Sequence, residues 1–156
     1  MKKLLLICLA AFAAASCTQE KQQSKPLYMW FDCEGNYATL SHPDSIRYYV
    51  SKIHDMGFTD VVVDVKSIMG ETLYKSDIAP YMGEWDGVTR PENYDLLGYF
   101  IEEGHKLGMR VHGSLNVFAG GHNFFDRGII YGDHADWQSQ VYTEGKICLL
   151  YTSPSP

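Results

Sequence analysis

Phe58-Thr59-Asp60-Val61-Val62-Val63-Asp64-Val65-Lys66 is the stretch on which the fold turns. It is a β-branched run set between Gly57 and Gly70, the pattern of a strand buried on both faces. Such a strand belongs in a parallel sheet whose faces are covered by helices. Asp64 is anomalous there, because an ionised carboxylate is costly to bury unless it is paired or used. It stands beside Lys66 at the carboxyl end of the strand, where α/β folds place their active sites. The plainer reading is a structural Asp64–Lys66 pair.

Working outward, Leu27 to Cys33 is a second apolar run, with Tyr28, Trp30 and Asp32 on one face. Ser41 opens a helix, with Asp44 completing an approximate capping box and Pro43 in the first turn. Ile46, Tyr49, Val50 and Ile53 mark its inner face, and Gly57 ends it. After Lys66 comes an irregular stretch to about Glu92, a length that in compact domains usually marks function. Asn93 caps a second helix, with Leu97, Phe100, Ile101 and Gly104 inward. Gly108 closes it, and Met109 to Asn116 forms a third strand with His112, Ser114 and Asn116 on one face. The order is strand, helix, strand, helix, strand. Repeated units of this kind predict an α/β fold with a parallel sheet, either open and doubly wound or the start of a (β/α)8 barrel. No GxGxxG follows the first strand, which weakens a dinucleotide fold. Polar groups ending several strands favour the barrel.

Composition narrows the function. The 156 residues suit one domain, 46% hydrophobic, with a formal charge of −6. Without Lys2 and Lys3 that charge is −8, which argues against a nucleic-acid partner. Residues 1–16 read as a signal peptide: a basic start, then an apolar run from Leu4 to Ala15 that is too short to span a bilayer. Ala14-Ala15-Ser16-Cys17 resembles a bacterial lipobox, which implies lipidation of Cys17 and anchoring to a membrane of the cell envelope. Residues 17–26 are a polar tether. The remaining cysteines form no CxxC pair and no disulfide framework.

The ordered set Trp30-Phe31-Asp32, Gly57 to Lys66, Leu73 to Pro80 and Ile101 to His112 resembles the N-terminal part of the family-10-like glycosyl hydrolases, often envelope lipoproteins. The resemblance runs from about Leu27 to Asn116. It implies the N-terminal portion of a TIM barrel acting on glycans, over residues 27–145. The family pattern near the third strand continues His-Ala-Trp; here Gly113 and Ser114 follow His112. Residues 146–156 read as a non-native tail, since Ile147 to Pro156 resembles translated adapter sequence. The fold is therefore expected to be a truncated barrel, and the fragment inactive.

Glycoside hydrolysis needs two carboxyl groups flanking the scissile bond. Asp32 and Asp64, ending adjacent strands, are the candidate catalytic pair, because proximity splits the titration of two carboxyls. The resemblance, however, points to catalytic acids on later strands, so substrate binding is the first role expected of both. Lys66, Tyr74, His112 and Asn116 are candidate substrate-binding residues. Tyr81 and Trp85 stack on sugars or pin the long loop to the rim. His122, Asp126, Asp133, His134 and Asp136 fit no standard zinc spacing, so no metal and no cofactor are expected. A glycoside hydrolase leads; a non-catalytic glycan-binding lipoprotein is the alternative, with a metal-dependent sugar isomerase behind both.

Overall fold

The computed structural model describes residues 25–122, 124–132, 134–138 and 140–149. Cys17, the leader, Asp133 and residues 150–156 lie outside them. Three parallel strands form the main sheet: β1 (Tyr28–Phe31), β2 (Asp60–Lys66) and, after two crossovers, the strand Arg110–Leu115. The order places β2 in the centre, with Tyr28 beside Asp60 beside Arg110, and Trp30 beside Val62 beside His112. The valine run is thus the central strand. The crossovers carry α1 (Pro43–Asp55) and α2 (Leu96–Lys106).

Both helices pack against each other and against one face of the sheet. Ile46, Val50 and Ile53 of α1 and Leu96 and Phe100 of α2 meet Val61, Val63 and Val65 in one core. Gly104 allows the close approach of α2, since a Cβ there would lie 2.7 Å from the Val111 methyl. The expectation of a strand covered on both faces is therefore corrected. Val62, Asp64 and Lys66 are only half-buried, and on the neighbouring strand Tyr28 and Trp30 are 53% and 60% exposed. Continuous valine records β propensity on the outward positions as well as burial on the inward ones.

Local chemistry shifts several boundaries. Tyr49 and Ile101, expected inward, are each 38% exposed. Helix α1 begins after His42 without a side-chain cap. Ser41 instead ends a 3-10 turn, donating to the Tyr37 carbonyl at 2.6 Å and accepting from Arg90 at 2.7 Å. The cap of α2 is Asp95, not Asn93; its carboxylate accepts the Gly98 N–H at 2.9 Å. Gly57 does close α1, with φ +91.

The stretch from Ser67 to Glu92 is folded rather than loose. Thr72 N–H donates to the Pro80 carbonyl and Met82 N–H to the Thr72 carbonyl, both at 2.8 Å. Leu73 and Met82 are fully buried. A short hairpin, β3 (Glu84–Trp85) and β4 (Val88–Thr89), turns at Asp86-Gly87, both with positive φ. This is the Asp-Gly signal of a two-residue hairpin. Arg110–Leu115 is β5. A one-turn helix α3 (Ile129–Gly132) precedes a second hairpin, β6 (Gln140–Thr143) and β7 (Lys146–Leu149). The expected non-native tail from residue 146 therefore starts inside a paired strand.

Candidate functional site

The carboxyl edge of the sheet carries Asp32, Asp64 and Lys66, three of the residues singled out from sequence. β1 ends at Phe31, and the chain turns at once: Asp32 Oδ1 accepts the N–H groups of Glu34 at 3.1 Å and Gly35 at 2.9 Å. The Asp32 carboxylate thus holds its own turn. Cys33 lies beyond the strand and is fully buried. Its thiol is pushed up to about 12 by burial and by the nearby Asp64 charge.

Glu34, which the sequence reading passed over, is half-buried and accepts the Ile68 N–H at 3.0 Å. Burial raises its carboxyl above the usual range, and the charges of Asp32, Asp64 and Glu71 push the same way. Four carboxyls thus crowd one edge, and the charges of the other three oppose the ionisation of Glu34. No sequence motif marks Glu34; only the turn at Asp32 brings it back over the strand ends.

Lys66 does not pair with Asp64. Its ammonium donates to the carbonyl of Asn116 at 2.7 Å and to that of Ala119, fixing the segment after β5. Burial lowers its pKa. The pairing of β2 with β5 slips between Asp64 and Lys66, so Asn116 falls past the strand and contributes its backbone oxygen here. Tyr74 and Tyr81 are half-buried and packed on the core, and the Tyr81 hydroxyl donates to the Tyr94 carbonyl at 2.9 Å. These rings pin the loop. Arg90, also missed, is buried beneath it: its guanidinium lies 3.6 Å from the centre of the Tyr37 ring and donates to the Tyr37 carbonyl at 2.9 Å.

His112 is at the opposite, amino end. There Asp60, fully buried, accepts from Arg110 at 2.7 and 2.8 Å, from Thr59 at 2.6 Å, and sits 2.7 Å from His112 Nε2. The Arg110 guanidinium, with Thr59 and His112, holds the Asp60 carboxyl far below the usual carboxylate range. Asp32, Asp64 and Lys66 are therefore brought together at one end, while His112 is removed from them. Among the described residues no group of three or more His, Cys, Asp or Glu is placed to hold a metal. No described helix is long and apolar enough to cross a membrane.

No family model matches the chain. Over 124 residues, 76% of its length, it is 28% identical to an S-layer-related protein of Niallia circulans. The chain spans only 8% of that protein's length. This similarity overturns the resemblance to family-10-like glycosyl hydrolases. With it go the glycosidase activity and the glycan-binding alternative that rested on the same motifs. The physical reason is plain: β-branched strands, and helices that end in glycine before the next strand, recur in parallel βα repeats whatever their chemistry.

Proposed function

We propose that this chain works at the cell surface or in the envelope, as a parallel α/β segment rather than as a glycan hydrolase. The observation that carries the reading is its similarity to an S-layer-related protein over three quarters of its length. The basic, apolar leader ending at Cys17 supports export, and lipidation of Cys17 would supply the anchor. The sheet supports a (β/α)8-type architecture. Its strands advance in one direction, β1-β2-β5, with α1 and α2 on one face, as in the first units of such a barrel. On this proposal Tyr28, Trp30, Val62 and His112 belong to the inner wall of the barrel.

Fractionation of cells expressing the whole chain tests the location. The protein is expected with the envelope, accessible to added protease once the outer barrier is opened. Recovery in the soluble cytosol would overturn the proposal. Palmitate labelling that persists in Cys17→Ala would remove the anchor while leaving the location standing.

A further inference from the structure

We propose that the cleft between the Glu84–Thr89 hairpin and the turn at residues 124–127 binds an organic ammonium ion. The cleft has a volume of about 420 Å³ and is lined by Trp85, Asp86, Phe125 and Arg127. That is the size range of small-molecule sites. Trp85 and Phe125 form its aromatic wall, with ring centres 5.0 Å apart and planes inclined at 60°. Phe124 extends the wall against Phe125 and is 80% exposed.

Charge decides what fits. Arg127 is neutralised from behind: it donates to Glu71 at 2.9 Å, pairs with the second Glu71 oxygen at 2.7 Å, and donates to the Glu84 carbonyl at 3.0 Å. The Glu84 carboxylate stands 3.7 Å away. Three carboxylates, Glu71, Glu84 and Asp86, thus stand in or beside the cleft against one guanidinium, which is already held by Glu71 and the Glu84 carbonyl. An entering anion meets a surplus of negative charge. A cation meets Asp86, which makes no ion pair with any described residue, and the two aromatic rings of the wall. Ring quadrupoles beside a carboxylate favour a weakly hydrated alkylammonium over a small, strongly hydrated metal ion. The inference rests on the cleft alone, not on where the protein resides.

The test is NMR titration of the whole chain, following the Trp85 indole N–H. The probes are choline, Nα-acetyl-lysine methylamide, and 3,3-dimethylbutan-1-ol as the neutral isostere of choline. A saturable Trp85 shift is expected with at least one cation, with the isostere at least about tenfold weaker. Asp86→Asn should weaken the cation about tenfold with an otherwise unchanged backbone spectrum, since asparagine tolerates the left-handed turn that Asp86 adopts at φ 49. No saturable shift with either cation, an equal response to the isostere, or undiminished binding in Asp86→Asn would each overturn the proposal. Should Asp86→Asn unfold, the comparison of choline with its isostere decides alone.

Discussion

At the amino end of the sheet, one buried carboxylate gathers Thr59, Arg110 and His112 around itself. At the carboxyl end, Asp32, Glu34, Asp64 and Glu71 stand near one another, and Lys66 turns away to two carbonyls. The ends use the same residue types to opposite effect. The amino end is electrostatically closed: Asp60 is charged because its partners are fixed around it. At the carboxyl end Glu71 pairs with Arg127, but Asp32, Glu34 and Asp64 make no ion pair with any described residue, so that end is unbalanced and its order comes largely from backbone and aromatic contacts. A charge inside a completed hydrogen-bond set stabilises a fold, whereas a crowd of like charges does so only by holding a proton.

The largest effect should follow Asp60→Asn. It leaves Arg110 without its carboxylate and places a neutral amide among three donors, so the unfolded-to-folded ratio at fixed urea should rise roughly a hundredfold or more. Asp60 also sets a pH dependence. Its folded pKa lies below the unfolded one, so its contribution is full above the unfolded value near 4 and is lost as pH falls below that. The variant should lack this acid-side loss.

Next comes Gly70→Ala at the other end. Gly70 has φ +86, and an added Cβ would lie 2.8 Å from the Gly120 Cα, backbone against backbone. Left-handed strain together with that clash should cost about 2–3 kcal/mol in urea denaturation. Arg90→Lys should cost about 1–2 kcal/mol, because an ammonium cannot both lie flat on Tyr37 and reach Ser41 and the Tyr37 carbonyl. Asp64→Asn should change stability by no more than about 0.5 kcal/mol, or improve it slightly, since it removes one of the charges crowding Glu34. A large loss in Asp64→Asn would show that the carboxyl end too is a closed network.

The central strand, the order of elements and the edge carrying Asp32, Asp64 and Lys66 were legible because periodicity and glycine punctuation are local signals. The Asp60 network was not. Its partners Arg110 and His112 lie 50 and 52 residues away, and Asp60 itself reads as one more member of the strand. Asp86-Gly87 carried the Asp-Gly hairpin signal in the sequence, whereas Glu144-Gly145, which closes the second hairpin with positive φ at both residues, is not such a pair. The uncovered sheet face could not be read, because a β-branched run looks the same whether one face or both are packed. The resemblance to a hydrolase family failed for a related reason: strand-helix-strand order and glycine punctuation recur across α/β folds and do not specify a chemistry.

One carboxyl-detected NMR titration of the whole chain, from neutral pH down to about pH 2.5, tests the contrast between the ends most directly. Asp60 should stay ionised well below the ordinary carboxylate range, held by Arg110, while Glu34 should take up its proton above that range because of burial. Glu34 then adds stability in its protonated form and loses it as pH rises through its folded value, opposite in sign to Asp60. Asp60 and Glu34 titrating together near pH 4 would contradict the account of a closed amino end and an unbalanced carboxyl end.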